Sequence, residues 1–373
     1  MKRTITSTLF ASLVALTVMG QSASDLSFKH LTQHMPAEWF ATADALSAAD
    51  SVLKYQFPSG GWAKNHSWHQ SVQGSKARER QEVWQQIHSE SGVGSTIDNG
   101  ATTTEMTFLA KMYSQTGTEK YRKAFIRGLQ YLLEAQYDNG GWPQYYPLKP
   151  QNSEGHPFYS DHITFNDNAI LNVMKLLQGV SEGKAPFDKL RINDKMKLQS
   201  GQAFDRGIEC ILNCQIVKDS VLTVWCQQHD EKTLEPANAR AYELASFTGS
   251  HETAGLLLLL MSLPEPSPKV ITAVTAAARW LEAHALRDVA LEHFTNAEGK
   301  PDRRLVHRFG SRLWARYYDL VTEEPYVCDR DGKPQPSLEY IGYERRNGYG
   351  WYGDEPEKVL QRLPKWIAKH GRK

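Results

Sequence analysis

Two short acidic motifs precede helical patterns, and their side chains are of the types that bind a hard cation. One motif spans residues 96–102 and contains Asp98, and the other spans residues 164–169 and contains Asp167. Each carboxylate has a Thr and an Asn nearby, and Asp is also a common helix N-cap. Because Ca²⁺ prefers carboxylate, carbonyl and water oxygens, the pair predicts a calcium site. Helix capping is the structural alternative for each Asp.

Cationic side chains among aromatic residues form a second group that could bind a ligand or take part in catalysis. Lys64 follows a Gly-Gly-Trp sequence, and Arg316 and Arg330 lie in a C-terminal segment rich in Tyr and Trp. Arg is the natural bidentate partner of a carboxylate, so the group favours an acidic sugar polymer as ligand. The alternative is a surface network of ion pairs, since these segments also contain many acidic residues.

Overall charge and motif content exclude several classes of function. The 373 residues include 43 Lys and Arg against 42 Asp and Glu, a formal net charge of +1. This balance gives no general attraction to nucleic acid or to an anionic membrane, so we expect neither as a partner. The sequence contains no serine-hydrolase elbow, zinc-protease motif or phosphate-binding loop. A glycosidase carboxylate pair stays open, because any two of the 42 acids could face each other.

The elements that must position these residues are mostly helices. Apolar spacings of three and four residues predict helices over 101–116, 118–136, 167–177, 204–216, 251–263 and 269–286. After about residue 290, several prolines and a cluster of arginines predict an irregular lobe of loops and short strands. A last helix is predicted over 355–370. Within the helical part, residues 221–225 are the best candidate for a short strand.

A weak internal repeat indicates how the helices are arranged. Residues 56–62 resemble residues 136–142, and both segments run from a Gln through Gly-Gly to a Trp. A third, degenerate copy contains Gln215 and Trp225. Repeated helical hairpins of this kind close into an α/α toroid, whose helix ends surround a shallow bowl.

The N-terminus has the pattern of a secretory signal peptide. Lys2 and Arg3 precede an uncharged apolar run over residues 6–18, which is too short to span a membrane, and small residues follow. We therefore predict a signal peptide over 1–23, a helical core over 24–290 and a C-terminal lobe over 291–373. Export to the periplasm or the medium is the localisation that this implies.

Four cysteines would then meet an oxidising compartment. Cys210 and Cys214 lie four residues apart in a helical pattern, a spacing poorly matched to disulfide geometry. A disulfide from Cys226 to either of them stays open, and free buried thiols are favoured. Zinc is not expected, because no paired Cys motif or nearby His set is present.

Taken in order, the motifs resemble those of the family 10 polysaccharide lyases, which are pectate lyases. The resemblance covers roughly residues 52–352. It implies a mainly α fold, an (α/α)₃ toroid, with a smaller lobe that forms a substrate cleft. The matching motifs are Gly60–Asn65, Thr96–Thr102, Gly140–Gln144, Thr164–Asn168, Ala239–Glu243, Leu313–Tyr318, Cys328–Gly332 and Tyr343–Tyr349.

The resemblance also implies an activity, a cofactor and a site. The activity is cleavage of α-1,4-polygalacturonate by β-elimination assisted by Ca²⁺, giving 4,5-unsaturated oligogalacturonides, with a monomeric protein expected. Its residue roles are metal-binding carboxylates at Asp98 and Asp167, a Brønsted base at Arg240, and substrate-binding cations at Lys64, Arg316 and Arg330.

The implied base is chemically demanding. Arg has a pKa of about 12.5 to 13.8, so it is almost always protonated. A basic Arg240 therefore requires a buried, cation-crowded site or a transient deprotonated fraction. The residue pattern alone does not choose between Arg240, Lys64 and a bound hydroxide.

Two other classes of function remain as alternatives. One is a catalytically inactive uronate-binding protein, which would keep the Arg and Trp surface. The other is an enzyme similar to the terpenoid cyclases, which are also α/α toroids, although the sequence contains no Asp-x-Asp-Asp acid motif.

Overall fold

The computed structural model describes residues 25–89, 92–149 and 158–371, so the predicted signal peptide over 1–23 lies outside the described residues. The helices are α1 (Phe28–His34), α2 (Ala43–Lys54), α3 (Ser75–Ile87), α4 (Thr103–Thr116), α5 (Glu119–Glu134), α6 (Ala169–Ser181), α7 (Asp194–Asn213), α8 (His251–Met261), α9 (Pro268–Ala283), α10 (Tyr343–Gly348) and α11 (Glu355–His370). The strands are β1 (Ile163–Thr164), β2 (Val217–Lys218), β3 (Val221–Leu222), β4 (Gln228–His229), β5 (Phe247–Thr248), β6 (Leu286–Thr295), β7 (Pro301–Ala315), β8 (Tyr317–Tyr318), β9 (Pro325–Cys328), β10 (Pro334–Gln335) and β11 (Tyr352–Gly353). None of the helices in these ranges is long and apolar enough to cross a membrane.

Three helical hairpins form the body of the protein: α4–α5, α6–α7 and α8–α9. The first helices of the three hairpins contact one another in order, α4 with α6 and α6 with α8. The second helices form an outer layer, in which α2 contacts α5, α5 contacts α7 and α7 contacts α9. The helical toroid predicted from the repeat is therefore confirmed.

Each repeat Trp fixes the chain that returns from an outer helix. Its indole N–H donates to a carbonyl near the end of that helix, so a large buried ring also satisfies a helix C-terminus. The three bonds are Trp62 to Val52 (2.7 Å), Trp142 to Leu132 (2.8 Å) and Trp225 to Ile211 (2.6 Å).

Each repeat Gln joins one outer helix to the next. Its amide donates to a carbonyl of its own turn and to a carbonyl of the neighbouring outer helix. These pairs are Gly60 and Ala124 for Gln56, Gly140 and Ala203 for Gln136, and Thr223 and Ala273 for Gln215. The third, degenerate copy thus makes the same contacts as the other two.

The C-terminal part contains a longer strand pair than the sequence predicts. Strands β6 and β7 form an antiparallel hairpin, and β11 adds to the edge of β7. Strand β5, which precedes α8, pairs with β8, so this lobe is hydrogen-bonded to the helical body. Helix α11 has the predicted bounds and packs on α8 and α9. The four cysteines are buried and free, as favoured by the sequence.

We expect the replacement Gln215→Leu to destabilise the protein by about 1–3 kcal/mol, because two buried carbonyls would lose their donor. Denaturant unfolding measures this change. Gln361→Leu on the exposed face of α11 is the control and should change the free energy of unfolding little. Equal effects of the two replacements would show that the repeat Gln does not hold the outer helices together.

Candidate active site

The functional candidates lie near the starts of α4, α6 and α8, the first helices of the three hairpins, which we call the inner helices. Before each inner helix, a threonine N–H donates to the carbonyl of a repeat Trp, which sets the three turns side by side. The turn at Asp98–Gly100 (the Asp98 turn) contacts the turn at Asn166–Asn168 (the Asp167 turn), and the Asp167 turn contacts α8. The three bonds are Thr96 to Trp62 (3.0 Å), Thr164 to Trp142 (3.1 Å) and Thr248 to Trp225 (2.8 Å).

The two predicted metal carboxylates occupy different positions within their turns. Counted from the threonine of each turn, Asp98 matches Asn166, whereas Asp167 matches Asn99. Asn99 and Asp167 both have positive φ, at 55° and 50°, a conformation that Asn and Asp tolerate. The turns are therefore alike in backbone but carry their carboxylates one residue apart.

Lys64 and Asp98 form a close ion pair at the first turn. Asp98 is buried, and no donor within the described ranges reaches its Oδ1 atom. Although burial lowers the pKa of Lys64, the charge of Asp98 raises it overall. Lys64 is thus a cation held beside the predicted metal carboxylate.

Arg316 lies at the centre of a second, buried charge cluster. Its Nη2 donates to Asp167 Oδ1 at 3.0 Å and to Asn166 Oδ1 at 2.7 Å, and its Nε donates to Glu252 at 3.0 Å. The side chain is only 2% exposed. Arg316 therefore binds the protein's own carboxylates, and Nη1 takes part in none of these bonds.

His251 completes this cluster at the start of α8. Its Nε2 lies 3.0 Å from Glu252 and 3.8 Å from Asp167. Burial lowers the pKa of His251, but the charge of Glu252 raises it to about 9 overall. Burial raises the pKa of Glu252, yet the charges of Arg316 and His251 lower it to about 2.

Asp98 and Asp167 each offer a carboxylate oxygen to a cation, and Asp167 also lies in a group with His251 and Glu252 that could hold a metal ion. The buried, donor-less Asp98 Oδ1 is costly to leave unpaired, and a cation would satisfy it. Asp167 is 31% exposed and can also offer an oxygen. However, Asn166 Oδ1 is taken by Arg316, and the Asn168 amide oxygen, which also has no donor among the described residues, lies against Gly255 of α8.

Arg240 lies in the loop before β5 and is paired with Glu243. Its Nε donates to Glu243 Oε2 at 2.6 Å, and its Nη2 bonds Oε1. Burial lowers the pKa of Arg240, but the hydrogen bonds and charge of Glu243 raise it overall. This direction is the opposite of what the predicted base requires.

Other arginines crowd the same place, as the predicted base also requires. The guanidinium carbons of Arg240, Arg330 and Arg345 lie 5.0, 5.8 and 4.6 Å from the ring centre of Tyr242. Arg330 is exposed and makes two 3.0 Å bonds to Glu344.

Hydrogen bonds connect the Arg240 loop to Arg316. Tyr349 donates to Glu243 Oε1 at 2.8 Å, and its hydroxyl lies 2.5 Å from that of Tyr317. The guanidinium of Arg316 stacks 4.5 Å from the Tyr349 ring centre. The predicted residues thus form one continuous set, from the Asp98 turn to Arg330.

Sequence reasoning missed four charged members of the site: Glu243, His251, Glu252 and Arg345. Glu243 and Arg345 lie within motifs that had been singled out for other residues. His251 follows Thr248 at the same distance as Asp167 follows Thr164. Aligning all three turns on their threonines would therefore have pointed to His251.

A buried carboxylate anchors the segment that contains Lys64. Glu105 of α4 is 4% exposed, and its Oε1 accepts the indole N–H of Trp68 at 2.8 Å. Burial raises the pKa of Glu105 to about 7, despite the opposing hydrogen bond from Trp68. This contact ties the loop after Lys64 to the inner helix.

Comparisons with known proteins agree with this architecture. The sequence profile of a family described as pectic acid lyase matches residues 56–360. A family 10 polysaccharide lyase from Cellvibrio cellulosa is 35% identical, covers 88% of this chain and 96% of its own, and superposes with a TM-score of 0.71. An aspartate-to-alanine mutant of a family 10 lyase from that organism, in complex with trigalacturonic acid, is 33% identical (91% and 98% coverage, TM-score 0.72). No curated protein sequence matches the chain.

Glu105→Gln tests the buried carboxylate through the pH dependence of stability. Because the folded-state pKa of about 7 exceeds the ordinary 4.5, the wild type should lose stability as pH rises from 4.5 to 7. The variant lacks this loss, so its relative stability should rise by about 3 kcal/mol over that interval. Denaturant unfolding at several pH values measures it, with exposed Glu82→Gln as control. Parallel pH profiles for wild type and Glu105→Gln would contradict the assignment.

Proposed function

The chain belongs to the pectic acid lyase family, and we propose that it cleaves α-1,4-polygalacturonate by Ca²⁺-assisted β-elimination with Arg240 as base. Membership of this family makes it a polysaccharide lyase of the pectate lyase type. The observation that supports the finer proposal is the single contact chain that joins Asp98, Asp167, Arg316, Arg240 and Arg330. The expected products are 4,5-unsaturated oligogalacturonides.

The cations of this set, above all Arg330 and Lys64, are the candidates for substrate binding. Polygalacturonate carries a carboxylate on every sugar, and bidentate arginine contacts suit that group. Arg330 is exposed and bound to the equally accessible Glu344, so a substrate carboxylate can replace Glu344 as its partner. Lys64 is part-exposed beside Asp98 and can take another carboxylate, whereas Arg316 can offer only Nη1 without breaking its buried pairs. The trigalacturonic acid bound to the family 10 lyase mutant supports this substrate class.

Asp98 and Asp167 are the residues that would hold Ca²⁺. When bound, the ion would withdraw charge from the substrate carboxylate and so acidify the C5 proton beside it. The nearby Lys64 and Arg316 would stabilise the enolate-like charge that develops on that carboxylate. Such preorganised cations act most strongly where the charge grows in the transition state.

Arg240 would accept the C5 proton while the C4–O4 bond breaks and O4 departs. Its pairing with Glu243 raises its pKa, so this pair must open before Arg240 can act. Arg330 and Arg345 lie close by, and their charges would favour a neutral Arg240 once Glu243 is displaced. Lys64 is not a better base, because Asp98 raises its pKa as well.

The Arg240–Glu243 pair also favours a second candidate, a uronate-binding protein without turnover. If the pair never opens, the cationic surface would bind polymer and release it unchanged. Turnover separates the two candidates, because only the lyase produces unsaturated uronides. The proposal also retains export, with residues 1–23 as signal peptide, and a monomeric state.

We expect Arg240→Gln to lower kcat on polygalacturonate about 10²- to 10⁴-fold while polymer binding persists, because a general base contributes about that much. Ultraviolet absorbance of unsaturated products follows the rate, and pH–rate profiles of wild type and Arg240→Lys report the base. The exposed Arg287→Gln is the matched control. An unchanged rate for Arg240→Gln would remove Arg240 as base.

Replacing either proposed metal ligand should change the calcium dependence of the rate. We expect Asp98→Asn and Asp167→Asn to raise the Ca²⁺ concentration for half-maximal rate at least tenfold, and excess chelator to abolish wild-type turnover. Asp50→Asn, at an exposed ion pair, is the control. Full wild-type activity in chelator would contradict the calcium proposal and leave the lyase assignment standing.

A further inference from the structure

Arg303 on β7 is a cation without a partner. Its guanidinium makes no hydrogen bond or ion pair with any described residue, and its Nε atom is buried. The side chain as a whole is part-exposed, but a buried donor without an acceptor is still unfavourable, so Nε calls for an acceptor from a ligand or from water. The carboxylate of the neighbouring Asp302 accepts the backbone N–H of Arg303 at 2.8 Å, but it accepts no hydrogen bond from the Arg303 guanidinium.

Asp302 is instead saturated by other donors. Arg346 donates to its two oxygens at 2.8 and 2.9 Å, and Asn347 donates to Oδ1 at 2.9 Å. The carboxylate is 6% exposed. Its hydrogen bonds are therefore taken up by Arg346 and Asn347, so Asp302 acts on the guanidinium of Arg303 through its charge but forms no ion pair with it.

Arg303 lines a cavity of about 340 Å³ between the β6–β7 hairpin and the turn that begins at Leu338. Phe294, Leu305 and Leu338 supply apolar walls, and Arg304 and Arg346 add further cations. Two carboxylates also line the cavity: Asp302, which is bound by Arg346, and the exposed Glu339, which accepts the Ser337 hydroxyl at 2.8 Å. An apolar wall with a few polar groups is the usual construction of a small-ligand site. A sugar ring with a carboxylate matches both parts.

The cavity and the proposed active site both border α10. Arg345 faces the Tyr242 cluster, and the following residue, Arg346, faces Asp302. The Tyr343 hydroxyl donates to the Pro301 carbonyl at 2.8 Å, which holds the hairpin against α10. The two places thus adjoin the same short helix.

We propose that the Arg303 cavity is a secondary binding site for a uronate carboxylate, used by polygalacturonate chains longer than those that fill the catalytic cleft. This inference rests on the proposed substrate class. Its ligand chemistry is a carboxylate on a pyranose ring. The carboxylate can come from a distant sugar of the chain in the cleft or from a separate chain.

Kinetics on short and long substrates test the proposal. We expect Arg303→Gln to raise KM for long polygalacturonate about tenfold, equivalent to about 1.4 kcal/mol, and to leave kcat and KM for trigalacturonate unchanged. Arg303→Lys should retain part of the affinity. Arg308→Gln, exposed on the same strand and outside the cavity, is the control. An unchanged polymer KM, or an equal change for the trimer, would overturn the site.

Calorimetry in the presence of chelator measures the binding of oligogalacturonates to the cavity without turnover. It also identifies the source of the carboxylate. Loss of affinity in Arg303→Gln that is confined to long oligomers would indicate one continuous chain. A second bound trigalacturonate, lost in Arg303→Gln, would indicate a separate chain. If neither is seen, the proposal fails, whatever the protein's activity. If the wild type lacks lyase activity, the proposed function fails, but this binding comparison still decides the site.

The melting temperature of Arg303→Gln separates a binding role of Arg303 from a structural one. Because Arg303 has no side-chain partner among the described residues, its removal breaks no ion pair, and the melting temperature of Arg303→Gln should match that of the wild type. A large fall in melting temperature would show that Arg303 is structural and would overturn the proposal.

Discussion

The buried guanidinium of Arg316 is the constraint on which the site depends. A charge removed from water must be matched by well-placed partners, or the fold pays several kcal/mol. Arg316 finds these partners in Asp167 and Glu252, at the starts of α6 and α8. Since Arg316 itself lies between β7 and β8, the match fixes the C-terminal lobe against the helical body. The proposed active site lies where these two parts meet.

Around that constraint, each proposed functional charge has an internal partner. Lys64 pairs with Asp98, Arg240 with Glu243, and Arg330 with Glu344. In the first two pairs the carboxylate is buried, and an unpaired buried charge would be costly. The pairing also means that a polyanion must compete with the protein's own carboxylates. The most exposed pair, Arg330–Glu344, offers the least resistance to this exchange.

The sequence predicted the architecture well because the repeat carries its own physical signal. Gln56, Gln136 and Gln215 recur because each must bond two carbonyls, and the Trp residues recur because each closes a helix end. The long β6–β7 hairpin was not predicted, because its arginine-rich strands lack clear alternation. Glu243 lies three residues after Arg240 in one motif, so that pair was open to local reasoning, but the partners of Arg316 could not be predicted. Ion pairs between distant segments depend on how the turns meet, which no local pattern encodes.

We propose that this site breaks the polymer by elimination and not by hydrolysis. Mass spectrometry of the products from a defined oligogalacturonate, digested in ¹⁸O-labelled water with Ca²⁺ present, tests it most directly. Elimination adds no water, so the two product masses should sum to that of the substrate, with no ¹⁸O from cleavage in either product. If the summed mass of the products exceeds that of the substrate by one labelled water, the cleavage is hydrolysis and elimination is excluded.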